Sequence, residues 1–106
     1  MKKKKKPEKN VKISRTKEIV IVKRRGHTEP YNEKKVYGSS YFACRNAHLS
    51  EIESEIISEK VAKSVTKKVK ELETVSSDDI FKLIIEELMY YNEDAAFLFE
   101  THRDIS

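Results

Sequence analysis

The chain has 106 residues, 38% of them hydrophobic and 38% charged, with two Gly, two Pro and one Cys, which is the size of one small domain around a single core. Its 22 Lys and Arg exceed its 18 Asp and Glu only because residues 1–25 hold twelve basic and two acidic side chains; residues 26–106 hold ten basic and sixteen acidic. These figures exclude a uniformly basic nucleic-acid-binding domain, an intramolecular disulfide and a multi-cysteine zinc site.

Residues 1–16, MKKKKKPEKNVKISRT, offer only Met1, Val11 and Ile13 as sizeable apolar groups beside five consecutive lysines, and this composition predicts a disordered tail. The domain is expected over residues 17–106. Ile19-Val20-Ile21-Val22 is β-branched and bounded by charge, as a strand requires, and is far too short for an export or membrane segment. A soluble, cytoplasmic protein is the expectation. Arg25-Gly26 stands where a two-residue hairpin loop needs positive φ, and His27 to Tyr31 is the return strand, with Pro30 confining it to an edge.

Beyond Tyr31 the pattern turns helical. Asn32 caps a first helix running to about Ala47, with Val36, Ser40, Ala43 and Ala47 on one stripe; Gly38-Ser39-Ser40 inside it reads first as a plain packing accommodation, with close approach of a neighbouring backbone or a ligand as the alternative. Ser50-Glu51-Ile52-Glu53 fits a capping box, followed by a stripe of Ile52, Ile56, Ile57, Val61, Val65, Val69 and Leu72. Ser76 or Ser77 caps a third helix, apolar nearly all round through Ile80, Phe81, Leu83, Ile84, Ile85, Leu88 and Met89, and therefore expected at the centre. Asn92-Glu93-Asp94 restarts a fourth helix to about Arg103. The predicted fold is α+β, a small hairpin or sheet capping a four-helix bundle.

No catalytic set emerges. Cys44 reads as a small core residue, His27 and His48 as surface side chains, and no short His–His or His–Glu spacing suits a metal. Two glycines cannot build a glycine-rich phosphate loop. The hairpin instead gathers Lys23, Arg24, Arg25, Glu29, Asn32, Lys34 and Lys35; taken alone this reads first as an ordinary charged hairpin, and otherwise as cations converging on a triphosphate through charge-assisted bonds.

Val22-Lys23-Arg24-Arg25-Gly26-His27-Thr28-Glu29-Pro30-Tyr31-Asn32-Glu33-Lys34-Lys35-Val36 resembles the opening motif of the ATP-cone domain, V-x-K-R-x-G-x-x-E-x-[F/Y/I]-x-x-x-K-[I/V] with a small difference in the first spacing. Ser77-Asp78-Asp79-Ile80 looks like that family's third-helix start, Glu87-Leu88-Met89 like its "ALM" segment, and Ala95 to Arg103 like its V-A-x-x-Y-x-x-Y-R helix. The likeness covers about residues 18–104. It implies a non-enzymatic regulatory domain that binds ATP or dATP, with Mg2+, as an effector.

By that resemblance Lys23 and Arg24 meet the phosphates with Lys35 in support, Glu29 and Asn32 face the adenine edge, Val22 and Val36 wall the base, and Ser77 contacts the nucleotide. Phe81 stands where some members carry a polar group near the sugar, and Asp104 where some carry a cation. With neither a reductase barrel nor a four-Cys ribbon, a stand-alone cone is expected, acting on its own oligomeric state or on a partner such as a ribonucleotide reductase or a transcription factor. Two alternatives stay open: a nucleic-acid-associated protein binding non-specifically through Lys2, Lys3, Lys4, Lys5, Lys6, Lys9 and Lys12, and a ligand-free dimerisation module.

Overall fold

A computed structural model of the chain describes residues 20–72 and 74–105. The lysine-rich segment, with Lys2 to Lys6, Lys9 and Lys12, lies outside the described residues, as do Ile19 and the side chain of Asp104. In chain order the elements are β1 (Ile21–Arg24), β2 (His27–Pro30), α1 (Glu33–Asn46), α2 (Glu51–Lys70), β3 (Thr74–Ser76), α3 (Ser77–Tyr91) and α4 (Glu93–Ile105). Among the described residues no helix is long and apolar enough to cross a membrane.

The hairpin forms as its sequence dictates. Arg25 (φ 42°) and Gly26 (φ 89°) both take positive φ, the combination that matches the twist of two antiparallel strands. Val22 then faces Glu29, and Arg24 faces His27. Pro30 ends the edge strand without interrupting a ladder, and Tyr31 donates its backbone N–H to Val20 O at 2.8 Å, prolonging the pairing by one bond. The sheet holds one strand more than the predicted hairpin. β3 pairs parallel to β1, setting Val22 beside Val75 and Lys23 beside Ser76 in the order β2-β1-β3. Both valines are buried, so the sheet's inner face closes one end of the helices.

Polar side chains start the helices. Asn32 Oδ1 accepts from Lys34 N at 2.9 Å. Ser50 and Glu53 complete a reciprocal capping box, and Ser76, rather than Ser77, accepts from Asp79 N at 3.0 Å. Asn92 serves two helices: its N–H donates to Leu88 O as α3 ends, and its side chain accepts from Ala95 N at 2.8 Å as α4 begins. α1 ends in a Schellman motif, with Leu49 N–H donating to Cys44 O and His48 N–H to Arg45 O, while His48 takes the left-handed φ of 71° usually left to glycine.

The helices pack as a ring, α1 on α2, α2 on α3, α3 on α4 and α4 back on α1. None is central, contrary to the expectation for α3. That helix buries only Ile84 and Leu88, and it leaves Met89 and Tyr90 exposed because each member of a ring keeps one side in water. The predicted stripe of α2 holds at Val61, Val65 and Val69, all fully buried, but Ile52 (70% exposed), Ile56 and Leu72 face solvent. The buried face runs Ser54, Ser58, Val61, Val65, Val69, a helical spacing in which small hydroxylated residues take the first two turns. Ser58 lies beside Cys44, whose thiol is pushed up in pKa by burial, an effect the neighbouring hydroxyl partly offsets. The two groups fall short of good hydrogen-bond geometry, and the Ser40, Ser54 and Ser58 hydroxyls stay without partners. Their small size is what the α1–α2 seam uses.

Two polar contacts tie the layers together. Tyr31 Oη and Thr66 Oγ1 share a hydrogen bond of 2.8 Å, linking the sheet to α2. Lys68 Nζ donates to Glu87 Oε2 at 2.9 Å between α2 and α3. Partial burial would raise the Glu87 pKa, but hydrogen bonds from Lys68 and Ser64 and the Lys68 charge outweigh it and hold the carboxyl below its ordinary value.

Gly38 does not support a close approach. It sits exposed in α1, and a Cβ built on it meets no atom within 4 Å; the buried small residue of Gly38-Ser39-Ser40 is Ser40. Replacing Gly38 with Ala removes backbone freedom from the unfolded chain at no steric cost, so stability should rise by about 1 kcal/mol. A thermal melt should show this as an increase of roughly 4–8 °C; an unchanged or lower midpoint would show that this helix turn needs glycine.

Candidate functional site

Two helical faces and the hairpin enclose a cavity of about 140 Å³. α1 contributes Lys35, Val36 and Ser39, continuing from its cap Asn32, and α3 contributes Ser77, Ile80, Phe81 and Ile84. Both sets follow the spacing i, i+3, i+4, i+7, which places four side chains on one helical face. Val22 and Arg24 reach the same space from β1, and Glu29 and Pro30 from β2, with Tyr31 between.

The lining divides by chemistry. Val22, Val36, Ile80, Phe81 and Ile84 make an apolar floor, whereas Arg24, Glu29, Asn32, Lys35, Ser39 and Ser77 stand as a polar set around it. Glu29 bridges the two cations, 4.0 Å from Arg24 Nη2 and 3.7 Å from Lys35 Nζ. Asn32 spends its carbonyl oxygen on the helix cap, which leaves its amide N–H groups available as donors. Ser77 occupies the first turn of α3, where backbone N–H groups lack intrahelical acceptors. Phe81 packs against Phe99 of α4 with ring centroids 5.7 Å apart. With Ser39 it also borders a second cavity, of about 210 Å³, that reaches Phe42 and His102.

Eight of the nine residues predicted for nucleotide contact line this one cavity: Val22, Arg24, Glu29, Asn32, Lys35, Val36, Ser77 and Phe81. Lys23 does not. Strand side chains alternate between faces, so with Val22 and Arg24 turned to the cavity, Lys23 falls on the opposite face, level with Thr28 and Ser76. Pro30, Tyr31, Ser39, Ile80 and Ile84 line the cavity as well and are not among the nine. The helical period counted from Asn32 and from Ser77 picks out the last three; Ile80 and Ile84 had passed for bundle core.

The volume sets what can enter. It falls below the roughly 300–1,000 Å³ of a pocket enclosing a whole drug-sized ligand, so only part of such a ligand can be enclosed and the rest must extend beyond the lining. Among the described residues no group of three or more His, Cys, Asp or Glu is arranged to hold a metal ion.

Comparison with known proteins gives a result of the same kind. No curated protein and no solved structure matches the chain. The ATP cone domain family, however, matches residues 19–102, a span that includes both strands of the hairpin, β3, all of α1 to α3 and most of α4. Domains of this family are nucleotide-binding regulatory modules, not catalysts, and they take ATP or dATP. With a match over most of its length and a fold of small sheet and four helices, the chain belongs to the ATP cone domain family.

Proposed function

We propose that the hairpin cavity binds ATP or dATP as an effector. Occupancy then regulates either the assembly of the chain or a partner protein, for which a ribonucleotide reductase or a transcription factor is the expected type. The observation that carries the reading is the convergence, in one cavity, of an apolar slot, a carboxylate and an amide beside it, and two cations at the mouth. Glu29 offers an acceptor and Asn32 a donor, the complement of the adenine 6-amino group and its neighbouring ring nitrogen; guanine presents a carbonyl where the amino group stands. Adenine lies on Val22, Val36 and Phe81, and the phosphates pass over Arg24 and Lys35.

Charge distribution supports that orientation. Residues 26–106 carry a surplus of acids, yet Arg24 and Lys35 both stand in the lining, where Glu29 is the one acid among the described residues, making a local positive region that draws a polyanion. The first turn of α3 carries Asp78 and Asp79, which repel phosphate. Ser77 is accordingly assigned to the sugar, and the triphosphate to the hairpin side. Magnesium accompanies the nucleotide, held mainly by phosphate oxygens, as is usual for this cation.

The test is calorimetric titration of the full chain with ATP, dATP and GTP, followed by sedimentation velocity with and without the ligand that binds. Adenine-selective binding with a Kd on the order of micromolar and a nucleotide-dependent sedimentation coefficient are expected, the latter if self-assembly is the regulated step. Equal heats for ATP and GTP, or none for either, would remove the adenine site.

A further inference from the structure

The carboxylate of Glu29 already holds both cations that the proposed site offers to phosphate. One oxygen faces Arg24 Nη2 at 4.0 Å and the other faces Lys35 Nζ at 3.7 Å. The backbone fixes this arrangement from two directions. Glu29 lies directly opposite Val22 in the β1–β2 register and diagonal to Arg24, two residues further along β1, a separation that long side chains span. Lys35 arrives on the first turn of α1, whose start is pinned by the Asn32 cap.

We infer that Glu29 is a specificity-determining residue that acts as an internal competitor for phosphate. It occupies Arg24 and Lys35 while the site is empty, and it becomes free to read the base only when a phosphate chain has displaced it. The inference rests on the reading of this cavity as the nucleotide site. A triphosphate carries several negative charges against one on the carboxylate, so it wins both cations, whereas a ligand with a short phosphate chain competes less well. Once released, Glu29 accepts from the adenine 6-amino group. In the same pose guanine sets its O6, a second acceptor, against Glu29 and its N1–H, a second donor, against the Asn32 amide. Phosphate recognition and base recognition are thereby coupled through one side chain, and such coupling acts equally in both directions.

The exposure of the three groups sets the size of the effect. The Arg24, Glu29 and Lys35 side chains are 45%, 31% and 67% exposed, and ion pairs in such surroundings are screened by water and contribute little to folding. Their role lies in selectivity, where a modest change in affinity is sufficient.

The experiment uses the full chain and tripolyphosphate, an anion with no base, titrated at fixed ionic strength into the wild type and into Glu29→Gln, with circular dichroism to verify that both are folded. Glutamine keeps the shape and removes the competing charge, so tripolyphosphate should bind roughly three- to tenfold more tightly to the variant. The preference for ATP over GTP should shrink in the same variant. Equal or weaker tripolyphosphate binding to Glu29→Gln, or binding to neither protein, overturns the inference. If the wild type binds ATP and the variant gains nothing for tripolyphosphate, the competitor role fails while the nucleotide site stands. Should the variant gain for tripolyphosphate while the wild type ignores ATP, the base-reading step and the adenine site both fail.

Discussion

Replacing Arg24 and Lys35 together with alanine is expected to weaken ATP binding by about a hundredfold. Each cation makes charge-assisted contacts of roughly 1.5–3 kcal/mol in a favourable geometry, and solvent screening at this exposed mouth takes the lower part of that range for each. Two such losses sum to about 3 kcal/mol, or two powers of ten in Kd. The variant also leaves Glu29 without its cations, so an uncompensated carboxylate faces the incoming phosphates. The fold should be untouched, since neither side chain is buried and neither cap nor core depends on them. Lys23→Ala is the charge control: it removes one positive charge from the strand that carries Arg24 but from its other face, and the loss should stay within about threefold, the scale of a screened longer-range interaction. Calorimetry on the three proteins decides the matter. Comparable losses for Lys23→Ala and the double variant would mean that net charge, not the geometry of the cavity, controls binding.

The contrast between Lys23 and Arg24 shows what was legible in the sequence. Within β1, alternation puts Val22 and Arg24 on one face and Lys23 on the other, and the inward position of Val22 selects Arg24. A motif names both residues; the backbone period distinguishes them. The hairpin was legible because a β-branched run met Arg25-Gly26, and the helix starts because Asn32, Ser50, Ser76 and Asn92 are capping residues with identifiable receptors. β3 was not. Three residues supply one buried side chain, Val75, too few for a period of two to register, and its pairing with β1 spans the whole α1–α2 hairpin. The exposed Ile52 and Ile56 misdirected the first turns of α2 because hydrophobicity outranked size there. The seam against α1 selects for small side chains, so Ser54 and Ser58 displaced the isoleucines from the core face. α3 misled for a related reason: its apolar girth matched a central helix, but part of that surface floors the cavity through Ile80, Phe81 and Ile84.

Leu88→Ala should cost about 3 kcal/mol, a large share of the roughly 5–10 kcal/mol that holds a domain of this size together. Leu88 is the largest fully buried side chain among the described residues, and it lies one helical turn beyond Ile84 on the same face of α3. Truncation leaves a void between packed helices whose backbones cannot close it, because Asn92 N–H donates to Leu88 O at 2.7 Å and fixes the end of α3 from there. In a thermal melt the midpoint should fall by more than about 10 °C. The same variant reports on the nucleotide site. Leu88 lines no part of the hairpin cavity, so the native state of the variant should keep its ATP affinity, and ATP at a hundred times its Kd should restore about 2.7 kcal/mol by mass action. Urea titrations of wild type and variant, each with and without saturating ATP, measure both quantities. A cost below about 1 kcal/mol would mean that the inner face of α3 contributes little to the core. A full cost with no recovery by ATP would mean that the nucleotide does not prefer the folded cavity, and that the apolar floor of α3 serves packing alone.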